Sequence, residues 1–113
     1  MSDESLIEEL KAIAHPLRYQ VLQLLRKGER NVGEIEQESG IGQPTLSQQL
    51  SVLRKAGLVE TRKKAKLVFY SLNEDRLAEL GAIIGGFDPS SMMRATAARK
   101  ASPGAANFAR LTQ

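Results

Sequence analysis

The stretch 31–72 constrains the fold most, because two short helical patterns separated by glycine are followed there by two strand-forming runs. Asn31 followed three residues later by Glu34 is the pattern of a capping box, which predicts the start of a helix over 32–39. A glycine corner comes next, and a further amphipathic helix is predicted over 44–56. The stretch therefore predicts a helix, a tight corner and a second helix, with β-structure after it.

The second of these helices has two unlike faces. Leu46, Leu50 and Leu53 recur at spacings of four and three, so we expect them to point into the core. Gln48 and Lys55 fall on the opposite, polar face. The helix is therefore expected to bury one side and to present the other to solvent or to a partner.

The remaining segments predict a mainly α fold with one β-hairpin. The residue before a proline avoids the helical region, so His15 and Pro16 separate the first two helices. A last helix follows the hairpin, which gives the element order α-α-α-α-β-β-α. Outside 32–39 and 44–56, the predicted helices and strands are 4–14, 16–27, 59–63, 67–72 and 74–87.

Positive charge is concentrated in one short segment. The chain of 113 residues has a formal net charge of only +3, yet residues 43–66 carry six basic side chains and one acidic side chain. Residues 1–42 carry five basic and eight acidic side chains, so they are net negative. Such a concentration of positive charge indicates a surface that binds a polyanion.

These features together predict a helix-turn-helix with a basic hairpin, or wing. In that arrangement the second helix enters the major groove of DNA, and the hairpin contacts the phosphate backbone. The side chains suited to read bases at the start of the helix are Gln43, Thr45, Ser47 and Gln48. The side chains suited to bind phosphate are Arg62, Lys63, Lys64 and Lys66. A solvated helix face and a solubilising turn are the alternatives, and the two groups occurring together favour DNA contact.

Three sequence blocks resemble the ArsR/SmtB family of winged-helix repressors. The longest runs from Ile41 to Val59 and contains the string QPTLSQQL, which is similar to the branch of sulfide-responsive repressors. The other two are the HPLR string at 15–18 and the segment 29–35. The resemblance covers roughly residues 5–87, and it places a winged helix-turn-helix domain at 1–87 and a tail at 88–113.

The resemblance implies a homodimer formed by the first and last helices, 4–14 and 74–87. It also implies a repressor that binds an inverted-repeat operator in double-stranded DNA, with the two recognition helices about 34–36 Å apart. An anti-silencer that activates by displacing another protein, and a winged helix that docks a protein partner, remain as alternatives. An enzyme is not expected, because one histidine and no cysteine leave few groups for acid–base or nucleophilic chemistry.

The sequence departs from the family at the positions that bind inducers. Metal sensors of the family carry cysteines where Asn31 and Gly33 stand, and this chain has no cysteine at all. Other sensors use Asp and His ligands on the last helix, where this chain offers Glu74, Asp75 and Glu79 but no histidine. We therefore expect no metal and no cofactor, and the inducer stays unidentified.

Two further expectations concern the wing and the location of the protein. Many relatives have glycine where Ala65 stands, so alanine either strains the turn by roughly 1–2 kcal/mol or imposes another turn type. The sequence has no long apolar run and no secretory signal, which predicts a cytoplasmic protein without a membrane anchor.

Overall fold

The computed structural model describes residues 3–90. These residues fall into two compact units, one ending at Glu79 and the other starting at Leu80. Apart from residues 88–90, the tail predicted at 88–113 lies outside the described residues.

Within residues 3–90, five helices and three strands follow one another, and the five helices predicted there are confirmed to within a few residues at their ends. The ends differ by one or two residues, as is usual where helices fray. The elements are α1 Asp3–Ile13, α2 Pro16–Leu25, β1 Arg30–Asn31, α3 Val32–Ser39, α4 Thr45–Lys55, β2 Val59–Lys64, β3 Leu67–Leu72 and α5 Glu74–Gly85.

The strand β1 is the one element that the sequence did not predict. It pairs antiparallel with β3, with Arg30 opposite Tyr70 and Asn31 opposite Phe69, and gives a three-stranded sheet of order β1-β3-β2. The predicted hairpin is confirmed as β2 and β3, and β1 adds a third strand between α2 and α3 to the expected order. A strand of two residues is too short to show an alternating pattern, and its pairing depends on a partner 40 residues away along the chain.

Local hydrogen bonds explain where the helices begin. Asn31 Oδ1 accepts the backbone N–H of Glu34 at 2.9 Å, and Glu34 Oε1 accepts the N–H of Asn31 at 2.9 Å, which completes the predicted capping box. His15 is a boundary residue, because its Nδ1 accepts the N–H of Leu17 at the start of α2. α3 ends at Ser39 and is capped by Gly40, whose φ of +76° is readily adopted by glycine.

The core lies under the inner face of α4. Leu46, Leu50 and Leu53 are all at most 1% exposed, as predicted from their spacing. Ile35 of α3 and Leu58, which precedes β2, are equally buried. This packing fixes which side of α4 faces outward.

The turn of the wing consists of Ala65 and Lys66, which lie between the strand partners Lys64 and Leu67. Ala65 has a φ of +56°. A positive φ at the first central residue is typical of a type II′ turn, where glycine is preferred. The expected strain at Ala65 is therefore present.

Replacing Ala65 with glycine is expected to increase the free energy of unfolding by about 0.5–1 kcal/mol. The left-handed conformation costs alanine roughly 1–2 kcal/mol, and the greater chain entropy of glycine offsets about half of that. Ala78→Gly, at an exposed position inside α5, is the matched control and should lower stability by about 1 kcal/mol. Urea unfolding measures both changes, and destabilisation by Ala65→Gly would contradict the strain.

A nearly buried ion pair joins α1 to the start of α5. Arg76 Nε donates to Glu9 Oε2 at 2.6 Å, Nη2 donates to Glu9 Oε1, and Nη1 contacts Glu79 Oε1 at 2.9 Å. The side chains of Glu9 and Arg76 are 11% and 18% exposed. The hydrogen bonds and charge of Arg76 hold the pKa of Glu9 below its ordinary value, although burial opposes this.

The pKa of Glu9 is lower in the folded chain than in the unfolded chain, so its contribution to stability is complete above about pH 4.5 and is lost as the pH falls through the folded value. Glu9→Gln should therefore lower Tm at pH 7 and weaken the fall of Tm between pH 5 and pH 3. Glu8→Gln is the control, because the side chain of Glu8 is 71% exposed. Equal pH profiles for both variants would contradict the prediction.

Candidate nucleic-acid interface

The residues predicted to read bases lie on the outer face of α4 and in the loop just before it. Gln43, Ser47 and Gln48 are exposed and Thr45 is partly exposed, while the leucine face of the same helix is buried. The same helix also contacts α1, α2 and β2. The packing of α4 thus leaves a polar surface at the N-terminal end of the helix, where its dipole favours a phosphate.

The predicted reading residues differ in their contacts. Gln43 Oε1 accepts the backbone N–H of Ser47 at 3.2 Å and its hydroxyl at 2.5 Å, so Gln43 ties the preceding loop to the first turn of α4. The peptide bond between Gln43 and Pro44 is cis. The side chain of Gln48 is exposed and forms no hydrogen bond within residues 3–90, so both ends of its amide are available for a bidentate contact with adenine.

Gln49 is a positioning residue that the sequence reasoning missed. Its Oε1 accepts a hydrogen bond from Arg18 Nη1 at 2.8 Å, and Arg18 Nε donates to the carbonyl of Ala12 at 2.7 Å. Arg18 therefore joins the reading helix to the end of α1. The available signal was helical spacing, because Gln49 lies three residues after Leu46 and four before Leu53 on the inward side.

The wing presents three exposed lysines. Lys63, Lys64 and Lys66 all lie at the tip of the β2–β3 hairpin, and none forms an ion pair with any of residues 3–90. Successive residues of a strand point to opposite faces, so Lys63 and Lys64 extend the positive surface on both sides of β2. An ammonium group on a flexible stem at such a tip can reach a phosphate without displacing a partner.

Arg62 is in a different situation from the lysines. Its Nε and Nη2 each lie 2.7 Å from a carboxylate oxygen of Glu29, and its guanidinium carbon lies 5.1 Å from the centre of the Phe69 ring. The hydrogen bond from Arg62 lowers the pKa of Glu29, and the carboxylate raises the pKa of Arg62. The structure thus places Arg62 on the wing as predicted, but already paired with an acidic residue.

The part of the chain covering residues 3–90 contains no group of three or more His, Cys, Asp or Glu side chains that could hold a metal ion. It also contains no helix long and apolar enough to cross a membrane.

Comparison with known proteins gives consistent matches. The sequence profile described as "Bacterial regulatory protein, arsR family" matches residues 15–61. A biofilm growth-associated repressor of Xylella fastidiosa is 55% identical over 71 residues, which are 63% of this chain and 62% of that protein. The chain therefore spans less than two thirds of the length of this curated relative.

Solved structures match over more of their length. The transcriptional repressor BigR from Xylella fastidiosa is 45% identical, with a TM-score of 0.62 over 76% of this chain and 88% of that chain. A homodimeric winged helix-turn-helix DNA-binding domain from Mycobacterium bovis is 30% identical, with a TM-score of 0.64 over 80% of this chain and 84% of that chain. The sheet, the reading helix and the wing are thus those of a winged helix-turn-helix, and this chain belongs to the arsR family of bacterial regulatory proteins.

Proposed function

We propose that the chain is a sequence-specific regulator of transcription, a repressor that binds an inverted-repeat operator in double-stranded DNA. The observation that carries this proposal is the exposed polar face of α4, together with a wing that has three exposed lysines at its tip. Bases would be read by Gln43, Thr45, Ser47 and Gln48, and phosphates would be bound by Arg62, Lys63, Lys64 and Lys66.

The active form is proposed to be a homodimer built from α1 and α5. α1 leaves Ile7 46% exposed, and the end of α5, in the second compact unit, leaves Ile83 and Ile84 39% and 46% exposed. Large exposed aliphatic side chains on a helix are costly in a monomer and are typical of a surface that a second copy covers. The similarity to a homodimeric DNA-binding domain supports this assembly. The regulator would work in the cytoplasm.

Fluorescence anisotropy with the DNA upstream of the chain's own gene tests the proposal. Specific binding should exceed binding to a scrambled duplex of the same composition, and both affinities should fall as salt is raised. Equal affinity for both duplexes would reject sequence-specific recognition. A reporter behind the same DNA then distinguishes repression from anti-silencing, because deletion of the gene raises expression only for a repressor.

Gln48→Ala is expected to reduce specific binding by about 1–3 kcal/mol, roughly 5- to 150-fold, because it removes a bidentate contact to a base. Binding to the scrambled duplex should change little, since the replaced amide is uncharged. Ser51→Ala, farther along the same exposed face, is the matched control and should affect specific binding less. A uniform loss on both duplexes would show that Gln48 does not read sequence.

A further inference from the structure

Arg62 lies across the face of the three-stranded sheet. It sits on β2, and Glu29 immediately precedes β1 at the opposite edge. Phe69 on the central strand is the register partner of both Arg62 and Asn31, so the guanidinium reaches Glu29 by passing over the Phe69 ring. The ion pair therefore spans all three strands.

The carboxylate of Glu29 is bound as a phosphate would be bound. A guanidinium group offers five N–H donors, and its fork binds the two oxygens of a carboxylate or a phosphate in the same bidentate manner. Glu29 occupies the fork made by Nε and Nη2, at 2.7 Å for each contact. The charge that this arginine brings to the wing is thus already matched within the protein.

We propose that Glu29 is an internal counterion of the wing, which weakens the binding of DNA phosphates by Arg62 and so limits the affinity of the chain for any duplex. The inference rests on the proposed DNA-binding function, and it adds Glu29 as a residue that sets the affinity for DNA. Glu29 lies outside both groups of predicted contact residues, and only the folded sheet brings it to the wing.

The direction of the effect follows from what holds Arg62 in place. The Phe69 ring supports the guanidinium independently of Glu29, so removing the carboxylate charge leaves the arginine over the sheet. The negative charge of Glu29 is also felt by Lys64, whose positive charge helps to lower the pKa of Glu29. Without the Glu29 carboxylate, the positive charge of Arg62 is no longer neutralised, while the Phe69 ring still holds the Arg62 side chain over the sheet.

The test is binding of the full chain to a duplex of random sequence over a series of salt concentrations. Glu29→Gln should bind about eightfold more tightly at 0.1 M salt, with a salt slope steeper by about 0.9, as for one additional phosphate contact. Glu60→Gln is the matched control, because Glu60 lies two residues from Arg62 on β2, is exposed and has no ion pair within residues 3–90. Its effect should be clearly smaller.

A double-mutant cycle shows whether Glu29 acts through Arg62. In an Arg62→Gln background, Glu29→Gln should lose most of its effect, whereas a general change in net charge would persist. Weaker or unchanged binding by Glu29→Gln, with thermal unfolding as in the wild type, would overturn the inference while leaving the proposed function intact. A wild-type chain that binds no duplex at any salt concentration would remove the proposed function, and this inference with it.

Discussion

Replacing Lys63, Lys64 and Lys66 together with glutamine is expected to weaken DNA binding by about 10²–10³-fold at 0.1 M salt. Each phosphate contact contributes about 0.9 to the slope of log affinity against log salt, so three lost contacts reduce that slope by about 2.7. The three ammonium groups are exposed and unpaired within the described chain, so removing them leaves no buried partner unsatisfied. The loss should therefore come from DNA contact alone, and thermal unfolding should change little.

The matched control removes three positive charges elsewhere. Lys11, Arg26 and Lys27 are exposed on α1 or just after α2, outside the predicted contact residues. Their joint change to glutamine alters the net charge equally but should weaken binding far less. Similar losses in both triple variants would assign binding to net charge, and an unaffected wing variant would favour a protein partner for this surface.

Leu50→Ala is expected to lower the free energy of unfolding by about 2–5 kcal/mol, because it removes a buried side chain and leaves a cavity. Leu50 is 1% exposed, and it lies between the equally buried Leu46 and Leu53 on the inner face of α4. A domain of this size has a total stability of about 5–15 kcal/mol, and each kcal/mol shifts Tm by roughly 4–8 °C. Tm should therefore fall by roughly 8–40 °C.

Val52→Ala on the same helix is the control for this change. Val52 is 38% exposed, and alanine has the higher helix propensity, so its stability should change by about 0.5 kcal/mol or less. Urea unfolding gives both values on one scale. A loss below about 1 kcal/mol for Leu50→Ala would mean that the leucine face of α4 is not part of a packed core.

The helices were predictable because their signals are local. Asn31 and Glu34 form their capping box within a single turn, and the leucines of α4 follow the helical repeat. The reading face could be predicted for the same reason, since it is the side of α4 opposite those leucines. The lysines of the wing stand next to one another in the sequence, so their cluster did not depend on the fold.

The parts that could not be predicted are those that join distant segments. β1 exists because Arg30 and Asn31 find backbone partners on β3, and no periodic pattern can reveal a strand of two residues. The contacts of Glu29 with Arg62 and of Arg18 with Gln49 cross 33 and 31 residues of sequence. Helical spacing places Gln49 on the inward side of α4, but no spacing pattern indicates which distant residue a polar side chain will pair with.

The hydrogen bonds that Arg18 makes to α1 and α4 have a mechanical consequence. One guanidinium group holds the last carbonyl groups of α1, including that of Ala12, and the amide of Gln49 on α4. Arg18 thus couples the position of the end of α1 to that of the reading helix. A displacement that repacks α1 must either drag α4 with it or break these hydrogen bonds, so the angle at which α4 meets a groove is set partly by the helix that stands behind it.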